Sequence, residues 1–189
     1  MSSKASYHHG DLATALVNAA VELLEEGGAS ALSLRAAARR AGVSTAAPYR
    51  HFPDRGALLS AVAAVGYREL GASLMAANPT PSTVDDVADI AIAYVRFALD
   101  RPGLFRAMFT EQCDKDSPDR VAAVAMIHDY LHTIVKSAVP SSDPDSMATA
   151  MWGLVHGLAF LHLDGKLDAS SDGEVADRVR TVVAAVLVR

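Results

Sequence analysis

Apolar residues recur every three or four positions along most of the 189-residue chain, the period of helices buried along one side. Leu12, Leu16, Ala19 or Ala20, and Leu23 form the first series, and Gly27-Gly28 predicts its stop. Ser33 is placed to cap a short helix over 34–40, and Gly42 to take the left-handed turn that ends it. Ser44 or Thr45 then caps a second short helix reaching Tyr49 and Arg50. Asp54 caps a long helix over 55–77, which ends before Asn78-Pro79-Thr80-Pro81. Thr83 and Asp86 open a helix that stops at Arg101-Pro102-Gly103, and a shorter one follows over 104–112. Ser117-Pro118-Asp119 and Asp143-Pro144-Asp145 each order a cap, a first-position proline and an acid. Ser171 and Glu174 fit a capping box. Alanine is abundant and β-branched runs are few. The pattern predicts an all-α chain of about nine helices without repeats or low-complexity tracts.

Two of these helices are short and joined by about three residues that include Gly42, which describes a helix-turn-helix. Leu34, Ala37, Ala38 and Val43 can pack on the first helix, and Tyr49 and Phe52 can close the small core. Thr45, Ala46, Ala47, Arg50 and His51 then face outward. A helix enters a DNA major groove only if its leading side chains are short, as Ala46 and Ala47 are. Thr45 can bond a base edge or a phosphate, and Tyr49, Arg50 and His51 can reach phosphates. Pro48 is compatible with this helix only near its start, where N–H groups have no intrahelical partner. Arg55 opens the next helix, whose free N–H groups also attract phosphate.

Charge sharpens the picture. The chain carries a net −5. Residues 1–55 hold six basic and five acidic residues, and the remaining 134 hold 11 and 17. Within 33–55 five arginines face Asp54 alone. An acidic protein thus holds one local basic patch, either a solvated helix face or a phosphate-binding footprint.

Residues 8–60 resemble the N-terminal domain of TetR-family transcriptional regulators. The resemblance is carried by the Gly27-Gly28 stop, LSLRAAARRAGVS, TAAPYRHF and PDRGALL, with Ala46-Ala47, Tyr49, His51, Phe52, Arg55 and Leu58-Leu59 at the family's spacing. It implies phosphate contacts from Ser33, Tyr49, His51 and Arg55, and groove contacts from Arg35, Thr45, Ala46 and Arg50. Arg39 and Arg40 are expected near the backbone or solvent. The chain departs from the family at Pro48, where a larger apolar residue is usual, and at Arg55, where lysine is commoner. The run from Trp152 to His156-Gly157 resembles the signature of the WHG C-terminal domain of one subgroup.

These readings divide the chain into a DNA-binding domain, 1–55, and a helical effector-binding and dimerisation domain, 56–189. In the second, Met147, Met151, Leu154, Leu158 and Leu161 recur at helical spacing, and Ala150, Gly153 and Gly157 allow another helix to come close. Val175, Val179, Val182 and Val186 form a stripe on the last helix. Internal core or a dimer bundle accounts for such wide apolar arcs, and a twofold DNA reader needs a partner to span two half-sites. The dimer residues are therefore Ala150, Gly153, Gly157, Leu161, Val175, Val179, Val182 and Val186. Tyr94, Phe97, Phe105, Phe109, Met126, Tyr130, Trp152 and His156 are either core or the lining of an effector pocket, with Met108 beside them. His128 and His132 share a helix face, but no third metal ligand accompanies them.

No G-x-S-x-G elbow, phosphate-binding glycine loop or H-E-x-x-H is present, so no enzyme is expected. No cofactor is implied. Cys113 is the sole cysteine and lies in no activating pattern, which suits a reducing cytoplasm. No apolar run is expected to reach the ~18–20 residues of a membrane span, and the first residues lack an apolar signal segment. With these exclusions, the resemblance implies a cytoplasmic regulator, usually a repressor. It implies that a homodimer binds a palindromic double-stranded operator and is released by a small apolar effector. A constitutive DNA binder without an effector, or a helical ligand-binding or interaction module that ignores DNA, are the competing readings.

Overall fold

Capping chemistry sets most of the helix boundaries. The computed structural model describes residues 9–111, 113, 114 and 116–187, and these form eight α-helices and one 3-10 turn, without a strand. The terminal segment read for a signal and Gln112, read as a helix end, lie outside the described residues. Helix α1 spans His9–Ala31, but Gly28 breaks it with φ 64°, ψ −164°, a conformation open to glycine and not to side-chain-bearing residues. The predicted stop is thus a kink followed by one more turn.

Ser33 caps α2, Leu34–Arg40, by accepting from the Ala36 N–H at 3.0 Å. The helix ends in a Schellman turn: Val43 N–H donates to Ala38 O and Gly42 N–H to Arg39 O, with Gly42 at φ 69°. The predicted second short helix is a single 3-10 turn, Ala47–Arg50. Its cap position is Ala46, not Ser44 or Thr45, and no side chain caps it. Pro48 has no N–H to give an α-helical bond, so the chain closes instead through Ala47 N–H to Ser44 O.

Helix α3, Arg55–Ala77, is capped by Asp54 at the Ala57 N–H, 2.8 Å. The Thr83–Asp86 capping box opens α4, Val84–Asp100. Helix α5, Pro102–Thr110, starts two residues before the predicted point. Proline at the first helical position costs no hydrogen bond. The next two N–H groups, of Gly103 and Leu104, donate to the Glu25 carboxylate at 2.9 and 3.3 Å. A cap supplied 78 residues away has no local signature. Helices α6, Pro118–Ala138, α7, Pro144–Leu163, and α8, Asp172–Leu187, follow, with Asp143 capping α7 through the Ser146 N–H.

Packing separates two units. The first holds the described residues up to Gly66 together with Gly103–Val121, and the second holds Tyr67–Pro102 and the described residues from Ala122 onward. In the first, Leu16 and Leu24 of α1, Ala37 and Ala38 of α2, Leu58, Leu59 and Val62 of α3, and Leu104 and Phe105 of α5 are buried. A Cβ on Gly103 would stand 2.2 Å from the Leu24 carbonyl oxygen, so glycine is what lets α5 press onto α1. In the second, α4 packs against both α7 and α8. Val175, Val179 and Val183 form the buried stripe of α8.

Helix α7 corrects one sequence expectation. From Ser146 to Leu163 it carries no Asp, Glu, Lys or Arg, and it is the one described helix long and apolar enough to cross a membrane. Its apolarity has a second physical account. Only 22% of that stretch is buried within the chain, so one side packs on α4 and another stands bare.

Candidate nucleic-acid interface

The 3-10 turn rests on buried Pro48 and Phe52. Those anchors leave Ser44, Thr45, Ala46, Tyr49 and Arg50 exposed, with Ala47 and His51 half-buried. Tyr49 keeps 51% of its surface in solvent, against the sequence reading that it closes the core. The His51 ring leans on Phe52, with centroids 6.4 Å apart. The sequence thus builds a short platform with two small residues and a hydroxyl at its leading end and an aromatic and a cation behind. Helix α2 packs against this turn and exposes Ser33, Arg35 and Arg39.

The arginines divide by their partners. Arg40 is held by Glu22 at 3.0 Å and by a bidentate pairing with Glu26, and its pKa is raised by those hydrogen bonds. Its charge is neutralised inside the unit. Arg55 is also engaged: its guanidinium donates to Leu32 O, Ala29 O and the Glu111 carboxylate. Arg35, Arg39 and Arg50 remain exposed. Sequence reasoning missed Glu25 and Glu111. Both act on groups far along the chain, and nothing in their local spacing marks them.

Known proteins place this architecture. Residues 16–62 match the family model described as bacterial regulatory proteins, tetR family, and residues 87–186 match the tetracyclin repressor-like C-terminal domain. The chain belongs to the TetR family. Members of this family are DNA-binding transcriptional regulators rather than enzymes. A Rhodococcus sp. RHA1 protein of unknown function shares 34% identity and a TM-score of 0.80, covering 98% of this chain and 100% of that one. A tetR-family regulatory protein from Rhodococcus RHA1 aligns with 98% of each chain at 18% identity and a TM-score of 0.71. The fold also matches the Bacillus subtilis regulator FadR, solved in complex with stearoyl-CoA, at 12% identity and a TM-score of 0.71, covering 93% of this chain and 97% of that one. No curated protein matches the chain.

In the second unit of this TetR-family chain, a partly open cleft with a cavity volume of about 30 Å³ is lined by aliphatic side chains of α3, α4, α6, α7 and α8. They include Leu74, Val87, Ile90, Leu131, Ile134, Met151, Leu154 and Val183, with Tyr94 among them. Of the eight sequence-predicted ligand residues, only Tyr94 lines this cleft, and Trp152 and His156 meet its hydroxyl. The Tyr94 hydroxyl meets His156 Nδ1 at 3.0 Å and accepts from Trp152 Nε1 at 3.4 Å. Burial raises the Tyr94 pKa above its usual value and lowers that of His156, so both stay neutral. Phe97 is buried on α4. Tyr130 donates to the Asn78 carbonyl at 2.6 Å and closes the end of α3, while Met126 is exposed. Phe105 and Phe109 belong to the first unit, where their rings pack 4.9 Å apart. His132 contacts Asp145 at 3.0 Å. The aliphatic lining escaped the sequence reading because pocket and core use the same residue types at the same spacing.

The predicted dimer residues also separate. Ala150, Gly153, Gly157 and Leu161 are exposed on α7, as is Val186 on α8, and Val182 is half-buried. Val175 and Val179 are buried within the chain, so they are not free to meet a partner. Helix α8 packs against α4, and Val175 and Val179 are the buried members of the stripe.

Proposed function

We propose that this protein is a ligand-responsive transcriptional repressor. Two chains bind a palindromic operator with their helix-turn-helix heads, and an apolar effector in the second unit releases them. The reading is supported above all by the platform at Thr45–Ala46–Tyr49–Arg50: short side chains to admit a major groove, and donors for bases and phosphates behind them. Ser33, Arg35 and His51 complete the surface, and residues 1–55 act as the reader and 56–189 as sensor and assembler. The exposed Ala150–Gly153–Gly157 face supports a second copy as the partner, since small residues let two helices approach closely.

The almost wholly aliphatic lining favours an uncharged, largely hydrocarbon effector, because a charge there has no compensating partner. The effector acts only by binding one arrangement of the dimer more tightly than the other. Selection of bound fragments from random duplex DNA, followed by anisotropy titration against scrambled duplex at several salt concentrations, tests the reader. A palindromic winner bound far more tightly than scrambled DNA is expected. Equal, weak binding that disappears with salt would sink the operator reading. A thermal-shift screen of uncharged apolar compounds, with acyl chains included because the FadR neighbour holds one, tests the sensor. A hit that raises the melting temperature and weakens operator binding is expected. Compounds that bind without changing operator affinity would favour a constitutive regulator.

A further inference from the structure

Arg55 stands at the first position of α3, where the sequence reading placed a phosphate contact. Its guanidinium is turned elsewhere. Nε donates to Leu32 O at 3.2 Å, and Nη2 donates to Ala29 O at 2.9 Å and to Glu111 Oε2 at 3.1 Å. The two carbonyls follow the Gly28 kink, and Ala29 O also accepts from the Leu32 N–H at 3.3 Å. Leu32 immediately precedes Ser33, whose hydroxyl caps α2, and α2 carries Arg35. The arginine therefore ties the carbonyls that set where α2 begins.

The electrostatics point the same way. The α3 N-terminus already holds an anion, because Asp54 accepts the Ala57 N–H at 2.8 Å. Glu111 adds a second carboxylate, three-quarters buried, against the guanidinium. Asp54 already occupies the N-terminus of α3 and Glu111 already balances the guanidinium, so neither is left to draw in a phosphate. A guanidinium can serve two carbonyls and a carboxylate at once from its planar fork, and an ammonium cannot reproduce that geometry.

We propose that Arg55, clasped by Glu111, is a positioning residue that fixes α2 for DNA reading and does not itself contact phosphate. The proposal rests on the DNA-binding reading, and its test separates the two. Arg55→Ala, Arg55→Lys, Glu111→Gln and the Arg55→Ala/Glu111→Gln pair are titrated with the duplex selected by the wild type, across salt concentrations. A true phosphate contact removed flattens the logarithmic salt slope by about 0.9. We expect each single variant to bind about tenfold more weakly with an unchanged slope and unchanged helical circular dichroism. Arg55→Lys should not rescue, and the double variant should be no weaker than Arg55→Ala alone. A flattened slope for Arg55→Ala, binding restored by Arg55→Lys, or tighter binding by Glu111→Gln would overturn the proposal.

If the wild type selects no duplex, the DNA reading fails and the clasp is still decided by melting temperature. Non-additive losses for the Arg55→Ala/Glu111→Gln cycle support the clasp, and additive losses refute it.

Discussion

Two regions leave side chains uncovered, and their chemistry is opposite. Around α2 and the 3-10 turn, the bare residues are Arg35, Arg39, Thr45, Tyr49 and Arg50. On α7 they are Ala150, Gly153, Gly157 and Leu161, the last 44% exposed. The first surface is cheap to hydrate and offers hydrogen bonds, so it waits for a polar, charged partner without loss. The second exposes apolar area that water penalises until something apolar covers it. The proposed reading of DNA in pairs needs both kinds of surface. The contrast teaches that exposure by itself identifies no function; the hydration chemistry of what is exposed does.

Gly157→Arg puts a long cation on the face proposed for the second copy, where a Cβ meets no atom of its own chain within 4 Å. The fold should persist, with sedimentation shifting from dimer to monomer. Operator affinity should fall by ~100-fold or more as the second head is lost. A monomeric wild type, or a dimeric variant with full affinity, would remove α7 from the interface. Thr45→Ala tests the other surface. We expect a loss of ~1–3 kcal/mol confined to one base pair of each half-site, read by titrating operator variants. An equal loss on every duplex would make Thr45 a backbone contact.

Arg50→Ala should flatten the salt slope by about 0.9, the signature of one phosphate. Arg40→Ala should leave the slope unchanged, because Glu22 and Glu26 already hold that charge. Identical slopes for both variants would undo the distinction between free and neutralised cations.

The smallest effect expected is pH dependence in the second unit. Burial depresses the His156 pKa in the fold, so the unfolded chain takes up a proton first as pH falls below about 6.5. His156 therefore contributes stability above that pH and loses it on acidification through its folded pKa. Partial exposure screens the effect to below ~1 kcal/mol. Melting temperature followed from neutral pH to pH 5.5 should fall less steeply for His156→Asn than for the wild type. His162, depressed in the same direction by burial, adds to the slope that remains, and His132, raised by its bonds to the His128 carbonyl and Asp145, opposes it. Equal slopes in the two proteins would show that His156 is solvated like a free imidazole.

Much of the fold was legible because capping and periodicity are local. Ser33, Asp54, Thr83 with Asp86, and Asp143 each cap the helix that the sequence reading assigned to them. Gly42 takes the left-handed turn expected of it. The exposure of Thr45, Ala46 and Arg50 was legible for the same reason: with Tyr49 they lie within six residues, and the resemblance is carried by their spacing. The α5 start at Pro102 was not legible, because its N–H partners come from Glu25 on α1. Nor were the roles of Phe105 and Tyr130. An apolar or aromatic residue at helical spacing announces burial, not which neighbours bury it.

The sequence by itself determined the helices, their caps, the lone basic stretch and the family, because these follow from interactions within a few residues or from a spaced motif. Only the tertiary structure decided which arginines are free. Arg40 and Arg55 carry the same charge in the sequence as Arg50, yet Glu22, Glu26 and Glu111 engage two of them, and the third meets no carboxylate among the described residues. It also decided that Val175 and Val179 are covered by their own chain while Gly153 and Gly157 stay bare. The reason in each case is distance in space: Coulomb attraction and burial act between neighbours that fold together, and residues 14 to 56 positions apart become neighbours only once the helices have packed.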